Sequence, residues 1–318
     1  MLSQDLITEY VNLKNRIYIA YSGGPDSTAL LNILADMNTN TSLDIIAVHV
    51  NHNLSKESKE WENHCKEACS ILDIELIIES IEVVPDGGGV ESASRKARYK
   101  VFENLLQEND QILLAHHSDD VAETVFMRLL RGTGVDGIEG PKLHRIIGKG
   151  NLIRPFLKIS KKDILGYLNE NNIKYIKDDS NNNNELDRNF LRNEIFPLLE
   201  ERWNGFTKRI NRTSSIFRDR NNMYTALINE KYSDLIGEKI EIKKIKGLSN
   251  SIISDILRYS IRQCNIALPN SKIMEEIIKT FINSSPGPKS IVTWSRSDKE
   301  EAAGKITYQK GFIIISKR

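Results

Sequence analysis

The stretch IYIAYSGGPDSTALL, residues 17–31, decides the fold expected for this chain. An apolar strand in its first part is followed by two glycines and then by the leucines of a helical pattern. Adjacent glycines let the backbone approach a ligand closely, and the first turn of a helix presents unpaired N–H groups and the positive end of the helix dipole. The stretch therefore predicts an anion site, with phosphate as the expected anion. An ordinary strand-to-helix turn capped by Ser27 is the alternative.

This loop differs from two common phosphate-binding patterns, because it lacks both the G-x-x-x-x-G-K-[ST] spacing and the three-glycine dinucleotide fingerprint. It resembles instead the SGGxDS loop of the PP-loop ATP pyrophosphatases, which cleave ATP between the α and β phosphates. The resemblance implies that Ser22, Gly23, Gly24, Asp26 and Ser27 bind the phosphates of ATP.

The composition is that of a globular protein of about two domains, with 318 residues and a formal net charge of +1. No apolar run approaches the roughly 20 residues that span a bilayer, and the amino-terminal residues MLSQDLITEY do not look like a secretory signal. Three cysteines do not suggest a disulfide framework. We therefore expect a cytoplasmic protein with no membrane partner.

Apolar runs alternate with helical patterns through the first half of the chain. The runs at 44–50, 74–78 and 112–115 predict strands, so the fold class expected is α/β with a doubly wound parallel sheet. Ligands of such sheets bind beyond the carboxyl ends of the strands. Residues 22–27 and 116–120 each follow a strand, and we expect them to face the same crevice.

Four later segments carry weaker patterns. The glycine-rich residues 131–150 indicate an irregular mobile loop or lid, and the polar run 178–184 predicts a second loop. Between them, Ser160 is expected to begin a helix. A helix containing Phe190 should be kinked or closed by Pro197.

The alternation of strands and helices ends near Phe206. We therefore predict a catalytic domain over residues 1–205 and a smaller domain over residues 206–318. The second domain reads as mainly helical with a β-rich end after the turn at 286–288.

The strongest candidates for chemistry are His116, Asp120 and Glu123. Asp120 and Glu123 are three positions apart, so both carboxylates lie on one helical face. Two carboxylates and an imidazole can bind Mg²⁺, hold a cationic substrate or move protons. A helix whose first turn is acidic explains the aspartates equally well, but it does not explain the histidine pair at 116 and 117.

Two further groups of charged residues have ordinary explanations. Glu91, Arg95 and Arg98 follow helical spacing, and an ion pair between Glu91 and Arg95 accounts for part of it. Residues 187–189 with Arg192 read as a capped and charged helix start.

Basic residues interleaved with aromatic ones could bind the phosphates and bases of a nucleic acid. Solvated helix faces explain them equally well. The residues concerned are Arg202, Lys208, Arg209, Arg212, Arg218 and Arg220 with Trp203, Phe206 and Phe217, and a second basic group of Lys158, Lys161 and Lys162.

Eight motifs occur in the order found in the tRNA(Ile)-lysidine synthetases, and the chain is similar to that family over residues 17 to about 205. The ordered set is specific although no single block is. The motifs are SGGPDS, HVNHNLS at 49–55, ESASRKARY at 91–99, AHHSDDVAET at 115–124, RGTGVDG at 131–137, RPFL at 154–157, DDSN at 178–181 and DRNFLRNEIFPLL at 187–199.

The resemblance implies a two-step reaction. ATP adenylates the C2 oxygen of the wobble cytidine in tRNA(Ile) with a CAU anticodon and releases pyrophosphate. The ε-amine of free L-lysine then displaces AMP and leaves lysidine. ATP and Mg²⁺ are the implied cofactors.

The family match also implies roles for individual residues. Asp120 and Glu123 would hold lysine, His116 would lie by the adenylation chemistry, and Asp26 would bind Mg²⁺ and help with pyrophosphate. Arg95 and Arg98 would bind the phosphates or the carboxylate of lysine. The basic residues Arg202, Lys208, Arg209 and Arg212 would bind tRNA.

Two alternatives stay open. A PP-loop tRNA thiolase shares adenylation but uses sulfur, commonly with paired cysteines. A non-catalytic nucleotide-sensing RNA-binding module could keep the loop for affinity alone. Asn53 stands where the family commonly has glycine, which leaves the turn geometry there open, and a homodimer stays open as the assembly.

Overall fold

The computed structural model describes residues 2–39, 41–84, 89–178, 182–295 and 302–318. The chain divides into two units, Met1–Val83 with Ala97–Asp219 and Val84–Lys96 with Arg220–Arg318. The division after Asp219 falls inside a long helix. Residues 206–219, which the boundary predicted at 205 places in the second domain, therefore cluster with the first unit.

The secondary structure begins with a helix and then alternates. The helices are α1 (Gln4–Tyr10), α2 (Pro25–Asn38), α3 (Ser58–Ile71), α4 (Gly89–Leu105), α5 (Ser118–Leu130), α6 (Val135–Ile138), α7 (Lys161–Glu170), α8 (Asp187–Phe190), α9 (Phe196–Arg202), α10 (Phe206–Tyr232), α11 (Ile242–Ile245), α12 (Asn250–Gln263) and α13 (Ser271–Phe281). The strands are β1 (Ile17–Ala20), β2 (Ile45–Asn51), β3 (Glu75–Ser80), β4 (Gln111–Leu113), β5 (His144–Ile147), β6 (Gly150–Ile153), β7 (Lys239–Glu241), β8 (Ile291–Trp294), β9 (Gly304–Gln309) and β10 (Phe312–Lys317).

The first unit is built on a six-stranded sheet in the order β3-β2-β1-β4-β6-β5. Side chains of a strand alternate between the two faces, and β1 buries both. Ile17 and Ile19 pack into a core with α2, whereas Tyr18 packs into the opposite core with Phe102 of α4. The near-continuous apolar run of β1 is therefore explained by helices on both faces of the sheet, as predicted.

The parallel pairing of β1 with β4 determines where the site lies. Ile17 aligns with Gln111 and Ile19 with Leu113, so the two strands end side by side. The chain leaves β1 into residues 22–27 and leaves β4 into residues 116–120. Both segments lie at the carboxyl edge of the sheet, which is the crevice that the sequence predicts.

The glycine-rich segment 131–150 is more ordered than predicted. It contains α6, and its last residues form β5, which pairs antiparallel with β6 at the edge of the sheet. Gly148 opens the two-residue turn between these strands with φ +55°, which glycine adopts without strain. The prediction of an irregular loop was therefore wrong for residues 144–147, because a glycine turn within a hairpin looks like loop composition.

The helix around Phe190 neither stops nor breaks at Pro197. A π-helical turn over Leu191–Ile195 joins α8 to α9, and the chain stays helical to Arg202. Pro197 lies just after this turn and has no N–H to donate back into it, which fits a local departure from α-helical hydrogen bonding. Where the sequence predicts a kink or a stop at Pro197, the structure has a π turn just before this residue.

The second unit combines helices with an antiparallel sheet in the order β7-β10-β9-β8. Helices α12 and α13 bury Leu257 and Phe281 against Ile306 and Ile313 of β9 and β10. This region is helical and then β-rich, as predicted. Strand β7, which lies among the helices in the sequence, was not predicted.

In the described ranges, every helix is too short or too polar to cross a bilayer. Residues 179–181 of the predicted polar loop lie outside the described residues.

Changing Gly148 to alanine tests the hairpin turn. A Cβ there would lie 2.7 Å from the carbonyl oxygen of Glu103 and would occupy a positive-φ backbone. We expect Gly148→Ala to lower the free energy of unfolding by about 2 kcal/mol. Urea denaturation measures the change.

Gly166→Ala is the matched control, because Gly166 lies inside α7 and its Cβ would meet nothing within 4 Å. Alanine favours helix, so this variant should be about 0.8 kcal/mol more stable. An equal loss in both variants would contradict the assignment of the turn.

Candidate active site

The glycine loop places its polar groups at the start of α2. Gly23 has φ +79°, and Gly24 is the N-cap residue of α2. The N–H of Ser22 donates to Oγ of Ser27 at 3.2 Å, and the two hydroxyl oxygens lie 3.1 Å apart. The turn is therefore held closed by its own serines, and the amino end of α2 faces the crevice.

Gly23 cannot be replaced without moving its neighbours. A Cβ at this position would lie 2.5 Å from Cδ1 of Ile176 and 3.2 Å from Sγ of Cys65. The carbonyl oxygen of Gly23 also accepts a hydrogen bond from the N–H of Ile176 at 2.8 Å. The positive φ therefore favours glycine here, and a Cβ would also displace the end of the Ile176 side chain.

The imidazole of His117 lies between the two segments that leave the sheet. Its Nε2 is 3.7 Å from Oδ1 of Asp26 and 3.5 Å from Oδ2 of Asp120, and its Nδ1 is 3.5 Å from Oδ2 of Asp119. The side chain is only 4% exposed. One buried ring thus joins the glycine loop after β1 to the acidic cluster after β4.

The surrounding charges determine the protonation of this cluster. Burial alone would lower the pKa of His117, but Asp119, Asp120 and Asp26 together raise it. Burial would raise the pKa of Asp120, and the opposite charges of His117 and Arg188 hold it below its usual range. The neighbouring carboxylates therefore favour the protonated ring of His117 by more than burial disfavours it.

Asp120 and Glu123 share one helical face, and two arginines occupy it. Arg188 donates from one terminal nitrogen to Oδ1 of Asp120 and from Nε to Oε2 of Glu123, both at 2.6 Å. Arg192 of the π turn donates to both oxygens of Glu123 at 2.6 and 2.8 Å. Since Glu123 is 1% exposed, these guanidinium groups are the partners that its buried charge requires.

Asp26 also has a cationic partner. Nζ of Lys161 lies 2.6 Å from Oδ1 and 2.8 Å from Oδ2 of this carboxylate. Lys161 is the first residue of α7, and Ser160 caps that helix as predicted.

Two other predicted residues lie at the same edge of the sheet. Nδ1 of His116 accepts from Nε of Arg154 at 3.0 Å, and Arg154 also donates to the hydroxyl of Tyr99. Burial, and then the nearby charge of Arg98, lower the pKa of His52 to about 4. Arg98 therefore lies close to the residue that follows the end of β2. Arg95 lies one helical turn earlier on α4, half-buried.

The basic side chains predicted for tRNA are exposed. Arg202 ends α9, and Lys208, Arg209 and Arg212 lie on the first half of α10. Phe206 of the same segment packs instead against Phe126 of α5 and Phe196 of α9, with ring centroids 5.9 and 5.3 Å apart. The aromatic ring is thus an anchor that fixes the start of α10 to the catalytic unit.

Similarity to known proteins agrees with this geometry. Residues 3–199 match the family described as the PP-loop domain. A protein from Legionella pneumophila (strain Paris) named tRNA(Ile)-lysidine synthase is 35% identical over 298 residues, which cover 93% of this chain and 68% of that protein. The chain belongs to the tRNA(Ile)-lysidine synthase family. A second member of the family, from Buchnera aphidicola subsp. Schizaphis graminum, is 36% identical over 91% of this chain and 65% of its own.

This chain thus spans about two thirds of the length of these tRNA(Ile)-lysidine synthases, 68% and 65%. Among solved structures, a U34-tRNA thiolase from Methanococcus maripaludis with its [4Fe-4S] cluster has a TM-score of 0.53 at 19% identity, covering 68% of this chain and 77% of that chain. Its similarity shows a shared fold.

For this member of the tRNA(Ile)-lysidine synthase family, sequence reasoning missed several contacts of the site. It assigned a role to His116 and none to His117, whose ring lies beside Asp26 and Asp120. It interpreted Arg188 and Arg192 as a charged helix start, whereas both pair with Glu123. The i, i+4 spacing of these arginines was the available signal, because it matches a pair of carboxylates on a facing helix.

The buried carboxylate of Glu123 provides a stability test. Glu123→Gln removes the charge that balances Arg188 and Arg192, so we expect the free energy of unfolding to fall by about 3 kcal/mol. Chemical denaturation measures it.

The control is Glu241→Gln, which breaks an exposed pair with Lys244 at 3.8 Å. This variant should unfold like the parent protein. A Glu123→Gln variant as stable as the control would mean that the arginines do not depend on this carboxylate.

Proposed function

We propose that this protein ligates free L-lysine to C2 of the wobble cytidine of a CAU-anticodon tRNA(Ile), through an adenylated tRNA intermediate, with release of pyrophosphate and AMP. Membership of the tRNA(Ile)-lysidine synthase family supports the reaction class. The observation that carries the proposal is the position of His117, whose Nε2 lies within 3.7 Å of Asp26 on the glycine loop and 3.5 Å of Asp120 beside Glu123.

That position brings two chemical requirements together. A ring carbonyl oxygen leaves poorly until it carries AMP, so the first step needs a site for ATP. The second step needs a site for lysine within reach of the same cytidine. The imidazole of His117 lies between the glycine loop, which suits phosphates, and the carboxylates of Asp120 and Glu123, which suit an amine.

The glycine loop would hold the phosphates of ATP. The N–H groups of the first turn of α2, with Ser22, Gly23, Gly24 and Ser27, would stabilise the charge that develops on the departing pyrophosphate. We further propose that Arg95 and Arg98 add positive charge for the phosphates or for the carboxylate of lysine. His116, held by Arg154, would lie beside the adenylated oxygen.

Asp26 fits a magnesium ligand by its chemistry. Mg²⁺ in nucleotide sites is commonly bound by one or two carboxylates together with phosphate oxygens. The described residues contain no group of three or more acidic, histidine or cysteine side chains suited to a metal, so the phosphates would have to complete the coordination. When bound, Mg²⁺ would neutralise charge on the pyrophosphate.

Asp120 and Glu123 would bind the substrate amine. The ε-ammonium of lysine has an ordinary pKa of about 10.4, so it arrives protonated and seeks carboxylate oxygens. Arg188 and Arg192 now satisfy these oxygens. Lysine would therefore bind by exchange with a guanidinium. The carboxylates would orient its nitrogen toward C2, and the ammonium must lose a proton to a base before its lone pair attacks C2 and AMP leaves.

The exposed basic residues would bind the tRNA. Arg202, Lys208, Arg209 and Arg212 lie on helices that Phe196 and Phe206 fix against α5, the helix that carries Asp120. A phosphate backbone bound there would have a fixed position relative to the carboxylates.

The cysteines give little support to a thiolase. Cys65 and Cys69 lie side by side on α3, fully buried, and burial raises the pKa of each thiol to about 12. Such thiols pack as small apolar groups and are not nucleophiles near neutral pH.

The assay that tests the proposal uses ATP, radiolabelled lysine and purified tRNAs. Label should enter only the CAU isoleucine tRNA and not the methionine tRNA, which shares that anticodon. Asp120→Asn should raise the KM for lysine at least tenfold, because one carboxylate is lost, while pyrophosphate release without lysine stays near the parent rate.

Equal loss of both activities in Asp120→Asn would remove the lysine assignment. Label from a sulfur donor in place of lysine would favour the thiolase. Tight ATP and RNA binding with no release of pyrophosphate would favour a non-catalytic module.

Charge reversal tests the tRNA surface. Arg209→Glu/Arg212→Glu should weaken tRNA binding by tenfold or more and lower the slope of log Kd against log salt by about two, since each arginine is assigned one phosphate. Filter binding over a salt series measures both.

The control, Lys14→Glu/Lys149→Glu, makes the same change of charge. Both lysines are exposed and precede β1 and β6, at the amino edge of the sheet away from the site. Its salt slope should match the parent. An unchanged slope in the arginine variant would instead indicate an ordinary solvated helix face.

A further inference from the structure

Lys161 is a residue of the site that the proposed reaction leaves without a role. Both oxygens of Asp26 accept hydrogen bonds from its ammonium, at 2.6 and 2.8 Å. Its side chain is 34% exposed. These hydrogen bonds to Asp26 distinguish Lys161 from Lys158 and Lys162, which belong to the same basic group in the sequence.

The backbone fixes Lys161 at the meeting point of three helices. Its own N–H donates to Oδ2 of Asp119 at 2.9 Å. The N–H of Ser118, the first residue of α5, donates to the carbonyl of Ile159 at 2.7 Å. The amino ends of α2, α5 and α7 therefore converge, and the side chain of Lys161 extends from the last of them to the first turn of α2.

The contact between Lys161 and Asp26 balances charge at these helix ends. Three helix amino ends attract an anion, but the ionised carboxylate of Asp26 in the same place repels one. An ammonium on a flexible stem can neutralise the carboxylate and then move to a phosphate oxygen nearby.

We propose that Lys161 is an exchangeable counter-ion of the nucleotide site. Before ATP binds, its ammonium neutralises Asp26. When the triphosphate enters, Asp26 exchanges the ammonium for Mg²⁺, and Lys161 binds the oxygens of the pyrophosphate portion. The inference rests on the proposed use of ATP. It assigns Lys161 two roles: it neutralises Asp26, the proposed magnesium ligand, before the nucleotide binds, and it binds phosphate oxygens afterwards.

Two binding measurements test the exchange, and they should move in opposite directions. In Lys161→Met, an ATP analogue with a methylene bridge between the α and β phosphates should bind about tenfold more weakly in the presence of Mg²⁺, as measured by calorimetry. Mn²⁺ added without nucleotide, with water in place of the phosphate oxygens, should bind several-fold more tightly than to the parent protein, as measured by electron paramagnetic resonance. The reason is that Asp26 has lost Lys161, the nearer of its two cationic neighbours among the described residues, and keeps His117.

Three variants serve as controls. Lys162→Met removes the same charge from the next, exposed residue and should leave both affinities unchanged. Lys161→Arg keeps the charge and should recover part of the affinity for the analogue. Asp26→Asn added to Lys161→Met should abolish the gain in Mn²⁺ affinity, which would assign that gain to Asp26.

Two results would overturn the proposal. If Lys161→Met lowers the affinity for both the ATP analogue and Mn²⁺, the lysine has a structural role only. If neither affinity changes, the lysine has no role in binding either ligand. The measurements need neither lysine nor tRNA. Opposite shifts in a protein that fails to incorporate lysine would therefore support the exchange while the proposed reaction fails.

Discussion

Three helices begin at the same edge of one sheet, and the positive potential of their amino ends must be balanced. Helices α2, α5 and α7 start at Pro25, Ser118 and Lys161, and hydrogen bonds from Ser118 to Ile159 and from Lys161 to Asp119 hold the last two together. Acidic side chains in these first turns supply the balance. The acidic cluster is thus a consequence of the topology as much as of the chemistry, because the pairing of β1 with β4 forces the helix starts into proximity.

The same constraint explains why cations and anions alternate through the site. Asp26 contacts Lys161, His117 contacts three carboxylates, and the Asp120 and Glu123 pair contacts Arg188 and Arg192. A buried charge without a partner is costly, so each group added to the cluster requires another of opposite sign. Substrates that carry both phosphates and amines would enter such a site by replacing partners of matching charge.

The parts of this arrangement that depend on local sequence could be predicted. The apolar runs predicted the strands, the glycine loop predicted the tight turn that opens α2, and the spacing of Asp120 and Glu123 predicted their common face. Pairings over long sequence separations could not be predicted in this way. Neither the contact of Arg188 with Glu123 nor that of Lys161 with Asp26 leaves a local pattern, and both lysine and arginine also fit a solvated surface. The hairpin of β5 and β6 was missed for a related reason, since only its partner strand distinguishes it from a glycine-rich loop.

The π turn between α8 and α9 sets the rotational phase of the whole segment. A π turn closes its hydrogen bonds over one residue more than an α-helical turn, so it places an additional residue between Arg188 and Phe196. Arg188 faces the carboxylates before the turn, and Phe196 faces the rings of Phe126 and Phe206 after it. Deletion of Asn193, an uncharged residue of the turn, would remove this additional residue and change the register between Arg188 and Phe196 without removing a charged side chain.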